Sequence, residues 1–271
     1  MGEWQFMDPA CRNNLTTAWS REAEQMLDMA SVPDVWERPT RSTTWEVRDV
    51  IGHLVDTTEG YFESFDVARG KRDSRSSVPL REMAKYVNEG AVAFRSTSQN
   101  ELLARLRDDL DQMKGIVSEL TDEEWAGLLV PHKYMGQLPA TFYPTFQLVD
   151  YGVHSWDIRQ GSDEAHALAG DTADLLAPMA FVLWQSTPLI PDDLEPYDIG
   201  VRVTGASGGD YRVSVSPSGI GVEQGDVADC SSVLEFDAGS FVLTAFGRIN
   251  AGTMRGEAES ATGFLNSFFR I

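Results

Sequence analysis

Positive charge is what this sequence has least of. In 271 residues, 22 Lys and Arg stand against 42 Asp and Glu, for a net charge of −20. A surface of that sign repels nucleic-acid phosphates and anionic lipid headgroups, so neither nucleic acid nor a membrane surface is expected as a partner. Solubility is the plain use of so acidic a surface. Cysteine is nearly absent too. Cys11 and Cys230 are far apart and fit no metal-ligand spacing, so no disulfide framework is expected and a reducing cytoplasm suits the chain. Long apolar runs are missing: the longest, Leu175–Trp184, is interrupted by Pro178 and is too short to span a bilayer. The opening residues, MGEWQFMDPACRNN, carry acids and no apolar segment of the kind a signal peptide needs. The expected location is cytoplasmic. Neither a P-loop nor a dinucleotide-binding glycine fingerprint occurs.

What is present is helical rhythm. A hydrophobic fraction of 42% with 24% charged residues is ordinary for a folded chain, and the length suits one large or two ordinary domains. Leu15, Ala18, Trp19, Ala23, Met26, Leu27 and Ala30 keep helical spacing over residues 12–31. Thr43 with Glu46 three residues on has the form of a capping box. It predicts a second helix whose stripe is Val47, Val50, Ile51, Leu54, Thr58, Tyr61, Phe62 and Phe65, ending near Gly70. A third helix is predicted over 80–96. A fourth carries Leu102, Leu103, Leu106, Leu110, Met113, Val117 and Leu120. Thr121–Glu124 repeats the cap and predicts one short turn. Residues 127–140, with Pro131, Gly136 and Pro139, read as a loop, and a helix over 141–160 closes a bundle at Gly161.

The pattern then changes. One helix is predicted over 172–186, strands near 199–204, 211–216, 221–223 and 232–236, and helices near 238–247 and 257–269. The expected fold class is therefore two-domain, α + α/β: a helical bundle over 1–165, then a small α+β domain over 166–271 with 172–186 as its linking helix. Gly205-Ala206-Ser207-Gly208-Gly209 has the G-x-S-x-G form of a nucleophile elbow. That motif needs a helix after it, and the strand-like YRVSV follows instead, so it reads as a hairpin turn.

Chemistry concentrates in QLVDYGVHSWDIR (147–159). Asp150 and His154 are four residues apart, which puts them on one helical face about 5–6 Å apart at Cβ. Such a pair can grip one metal ion, or it can be an ordinary hydrogen bond bracing a helix. His53 lies off the apolar stripe of the second helix, beside Thr57 and Gly60, either as a third ligand or as a hydrogen-bonded surface histidine. Helical bundles build metal sites from inward groups on facing helices, and two imidazoles with one carboxylate leave coordination positions open. Of the four histidines, His132 sits in the loop, either lining the mouth of the same site or, as the simpler reading, at the surface, and His166 reads as solvent-exposed beyond the helix end. Cys230 has no activating histidine near it and reads as structural.

TTWEVRDVIGHLV (43–55) and LVDYGVHSWDIRQG (148–161) resemble the two metal-ligand segments of the mycothiol-dependent maleylpyruvate isomerase family. FDAGSFVLTAFGRINAGTMRGEAESATGFLNSF (236–268) is similar to that family's second domain, a small α+β unit related to sterol carrier proteins. The resemblance implies a DinB-like four-helix bundle and a divalent metal, usually zinc, held by His53, the carboxylate at 150 and His154. Family members carry glutamate at the carboxylate, and this chain has Asp150, one methylene shorter. The resemblance also implies an arginine of the second domain near the active cleft. Arg248, in Gly247-Arg248, matches it best, as the group that grips a substrate carboxylate. Mycothiol is the implied cosubstrate: its thiolate adds to the cis double bond of maleylpyruvate and leaves after rotation. A mycothiol S-transferase acting on other electrophiles would begin identically. A non-enzymatic carrier of an apolar ligand, or a metal-bearing sensor, is the reading from another class. A monomer or small homo-oligomer is expected.

Overall fold

Chain order sets the layout. The computed structural model describes residues 2–42, 44–74, 76–161 and 166–269. One compact unit spans Phe6–Leu168, and a second runs from Ala169 onward with Glu3–Gln5 grouped with it. The first contains α1 (Arg12–Ala30), α2 (Val47–Ala68), α3 (Met83–Ala93), α4 (Gln99–Glu119), α5 (Asp122–Gly127), β1 (Leu129–His132), β2 (Gly136–Pro139) and α6 (Phe142–Gly161). The second contains α7 (Gly170–Ser186), β3 (Tyr197–Thr204), β4 (Gly209–Ser216), β5 (Gly219–Gln224), β6 (Ser232–Asp237), α8 (Ala238–Ala245), β7 (Thr253–Gly256) and α9 (Ala258–Leu265). This is the two-domain arrangement that the change of pattern predicts, a helical bundle followed by a small α+β domain.

In the bundle α1 packs on α6 and α2 on α4. The predicted stripes are the buried faces: Leu15, Trp19 and Met26 of α1, Val50, Ile51 and Leu54 of α2, and Leu102, Leu106 and Met113 of α4 are at most 1% exposed. Each such side chain stabilises the fold by about 1.5–3 kcal/mol through burial. α6 differs, being buried on nearly every side. Its polar groups are therefore carried into the interior, where they need partners. Gly52 lets α3 come close to α2: a Cβ there would sit 2.5 Å from the Ala91 carbonyl oxygen.

Two features depart from expectation. Thr43 lies outside the described residues, and the capping box that opens α2 is formed by Glu46 and Asp49, so the helix begins at Val47. Glu46 N–H donates to Asp49 Oδ2 at 2.9 Å, and Arg95 holds both oxygens of Asp49 at 2.7 Å. Burial alone would raise the Asp49 carboxyl, but the hydrogen bonds from Arg95 and Glu46 and the charges of Arg95 and Arg48 bring it below its ordinary value. The expected loop at 127–140 holds an antiparallel hairpin, with Leu129 paired to Pro139 and His132 to Gly136. Its two prolines disguise the strands, since proline fits only where no ladder N–H is needed.

Asp109 is a strained point on the buried face of α4. It is 7% exposed, and its Oδ2 has no hydrogen-bond partner among the described residues. Desolvation, reinforced by the charge of Glu59, pushes its carboxyl up to about 6. A carboxyl raised above its unfolded value binds its proton more tightly in the fold. Stability thus falls as pH rises from about 4 to about 6 and stays lower above that range. Asp109→Asn is expected to flatten this limb and to stabilise the protein at pH 7 by on the order of 2 kcal/mol. Urea midpoints at pH 4 and pH 7 measure it, and a variant with the wild-type pH slope would contradict it.

In the second unit five strands run in the order β5-β4-β3-β6-β7, with β3 and β6 parallel and the other pairs antiparallel. Alternate residues Ile199, Val201, Val203, Val213, Val215, Leu234 and Phe236 are buried, and Phe181 and Trp184 of α7 meet Phe241 of α8, with Trp184 also on Phe264 of α9. Residues 205–208 are the hairpin turn between β3 and β4, and the Ser207 hydroxyl donates to the Asp174 carbonyl. That hydroxyl is a turn brace, as the sequence reading has it. The last helix ends at Leu265 rather than near 269, where Phe268 instead bridges to Pro188, and Thr253–Gly256 forms a fully exposed edge strand with no apolar alternation to announce it. No described helix is long and apolar enough to cross a membrane.

Candidate metal centre

α6 supplies two of the three groups one turn apart, and α2 supplies the third. One ligand atom from each of His53, Asp150 and His154 lies within 4.8 Å of the others. His53 Nε2 is 3.4 Å from Asp150 Oδ1, close to the edge of about 3.3 Å expected between two ligands of a tetrahedral zinc ion. The two imidazole rings meet edge to face with centroids 5.2 Å apart. His53 and His154 are 6% and 7% exposed.

Each imidazole is oriented by its other nitrogen. His53 Nδ1 is 3.1 Å from the Thr57 hydroxyl one turn later. His154 Nδ1 is 2.8 Å from Oδ2 of Asp157, a carboxylate with no exposed surface. A carboxylate only accepts, so it draws the proton to Nδ1 and presents the lone pair at Nε2. Thr57 can accept from Nδ1–H in the same way. Asp150 Oδ2 is buried with no hydrogen-bond partner among the described residues, which leaves a charged oxygen for a cation to satisfy. Two nitrogens, one anionic oxygen and two orienting groups fit a divalent metal with open coordination positions.

Trp45 covers the histidines. Its ring lies 5.1 Å from that of His53 and 5.7 Å from that of His154, and its Nε1–H donates to Asn88 at 3.0 Å. The segment that carries it is tied to α6 by Arg41 N–H donating to the Asp157 carbonyl at 2.9 Å. Thr44, just before it, has φ of 79°, a conformation costly for a β-branched residue. Strain is thus stored beside the residue that shields the site from water.

The other singled-out residues fall elsewhere. His132 is not a surface residue: it is 9% exposed, packed on Phe146 at 5.2 Å and near Tyr61 and Tyr143. The hairpin that the sequence conceals is what buries it. His166 is half-buried against Trp156, whose Nε1–H donates to its carbonyl, and so is not the exposed group expected. Arg248 belongs to the second unit, just after α8, where its Nη1 donates to the Phe246 carbonyl at 2.9 Å. Both cysteines are free, and burial raises both thiols, Cys11 to about 11, so neither is activated. The reading of sequence overlooked Asp157 and Trp45. Asp157 had a usable signal, its position three residues after His154 on the same helical face. Trp45 had none, because it reaches the site from outside any helix.

A bundle that brings two histidines and a carboxylate of facing helices together defines a class: helical proteins able to hold a metal ion in their interior. Residues 18–159, just over half of the chain, match the family model of the mycothiol maleylpyruvate isomerase N-terminal domain, and the chain belongs to that family. Among solved structures it is similar to the crystal structure of the mycothiol-dependent maleylpyruvate isomerase, at 13% identity and a TM-score of 0.60, covering 96% of this chain and 97% of that one. A histidine-to-alanine mutant of that isomerase gives 12% identity with the same TM-score and coverage. These likenesses establish a shared fold over both domains. No curated protein matches the sequence.

Proposed function

We propose that this chain is a metal-dependent enzyme that uses mycothiol as cosubstrate, adding its thiolate to an electrophilic small molecule in the manner of a maleylpyruvate cis-trans isomerase. The observation that carries the reading is the convergence of His53, Asp150 and His154 within one family-matched bundle. A bound divalent ion, zinc in the first instance, would supply the positive charge that turns a thiol of ordinary pKa near 8.5 into a thiolate at neutral pH. The chain's own residues do the rest. His53 and His154 present Nε2, Asp157 and Thr57 fix the rings, and Trp45 keeps water from the histidines. Asp150, one methylene shorter than glutamate, keeps one oxygen 3.4 Å from His53 Nε2. Arg248 is our candidate for holding a substrate carboxylate, as a guanidinium can do with two parallel hydrogen bonds.

Isomerase and S-transferase chemistry share the attacking thiolate and differ in whether sulfur leaves again. Incubating the metal-loaded protein with mycothiol and maleylpyruvate, and in parallel with generic electrophiles, separates them. Isomerisation without net consumption of mycothiol is the expected result. Stable thioether formation would assign the transferase activity instead, and no turnover of either kind would overturn the enzyme reading.

A further inference from the structure

We propose that His132 and Tyr61 are the hydrogen-bond donors that receive the negative charge developing on a carbonyl oxygen of the electrophile. This inference rests on the metal and thiol reading above.

The tight turn after β1 aims the backbone N–H groups of Tyr134 and Met135 at His132 Nδ1, at 3.3 and 3.2 Å. A nitrogen that accepts two hydrogen bonds carries no proton, so the neutral ring has its proton on Nε2. That nitrogen and the hydroxyl of Tyr61, whose ring is 6.3 Å from that of His132, make no hydrogen bond to the described residues, and neither atom is sealed from solvent, so both face space that a small molecule can enter. Two neighbouring donors open to such a space can serve one acceptor from outside the chain. Tyr61 lies two helical turns beyond His53 on α2, while Phe146, one turn before Asp150 on α6, touches both rings at 5.2 and 6.3 Å. The Asp150 carboxylate acts electrostatically on both groups. Burial depresses the His132 imidazole to about 4 and raises the Tyr61 hydroxyl, so at neutral pH both are uncharged donors.

Neutral donors in an aromatic wall suit charge that appears only during reaction. The thiolate electron pair forms a C–S bond at the alkene carbon β to the carbonyl, and the π pair moves to leave an enolate with its charge on oxygen. The former double bond then rotates. The enolate pair re-forms C=C and expels the thiolate, so no proton or electron is gained or lost, and both donors keep their hydrogens.

The test compares full-length wild-type, Tyr61→Phe, His132→Phe and His132→Gln proteins, metal-loaded and saturated with mycothiol, on an enone and on a benzyl halide. Displacement of halide develops no oxyanion. With the enone, kcat is expected to fall about 10²–10³-fold in Tyr61→Phe and His132→Phe, as for loss of one oxyanion donor, and to recover in part in His132→Gln, whose amide still donates. The halide rate is expected to stay at the wild-type level in all of them. Equal losses on both electrophiles, or no loss on the enone, would overturn the assignment, and Tyr61→Phe alone decides it if His132→Phe does not fold. A wild-type protein that binds no metal, or whose spectrum ignores mycothiol, would overturn the underlying reading and this one with it.

Discussion

His154→Ala is expected to lower bound metal from one ion per chain to trace and to bring mycothiol-dependent turnover to background. In the proposed site three donors would hold the ion, and the remaining pair, His53 and Asp150, would fall short of the three protein ligands that catalytic zinc sites use. The variant has a second consequence. Asp157, fully buried, loses its 2.8 Å hydrogen bond to His154, and a hydrogen bond to a charged group is worth about 1.5–3 kcal/mol. His53→Ala also takes a partner from a carboxylate, since its Nε2 is 3.4 Å from Asp150 Oδ1, but that contact is longer and less buried. Both variants should therefore lose the metal, and His154→Ala should lose more apo-protein stability than His53→Ala. Metal analysis with urea unfolding reads both quantities. Retention of stoichiometric metal by either variant would remove that histidine from the site.

Asp157→Asn should weaken metal binding about 10–100-fold, the usual effect of losing a group that orients a ligand. The volume is unchanged, so packing is not at issue. What changes is hydrogen-bond polarity: the asparagine amide can donate to Nδ1, which moves the imidazole proton to Nε2 and blocks the lone pair the metal needs. Competition against a chromophoric chelator measures the affinity. At saturating metal the turnover should recover toward wild type, since Asp157 meets neither thiol nor electrophile in this account. An unchanged affinity would mean that His154 needs no such orientation.

The share of this architecture legible in the residues follows from how each element meets water. α1, α2 and α4 each have a wet side and a dry side, so their periodicity survives in the sequence. α6 is dry nearly all round and shows little periodicity, yet Asp150 and His154 stand out in it because carboxylates and imidazoles are costly to bury without purpose. The β1–β2 hairpin hid behind Pro131 and Pro139, and with it went the burial of His132. β7 hid because all four of its residues are exposed. The start of α2 was misplaced by three residues because Thr43/Glu46 and Glu46/Asp49 both have capping spacing, and only Arg95, distant in sequence, favours the second. The convergence of His53, Asp150 and His154 could be read from spacing and face. Its surroundings could not, because Trp45, Tyr61 and His132 converge only through tertiary packing.

The most direct measurement is a mycothiol titration of the cobalt-substituted protein, followed by its visible spectrum. The account predicts one cobalt ion per chain in wild type, a saturable spectral change as the thiol is added, and neither in His154→Ala. A wild-type chain that takes up no stoichiometric cobalt, or a cobalt spectrum indifferent to mycothiol, would contradict it.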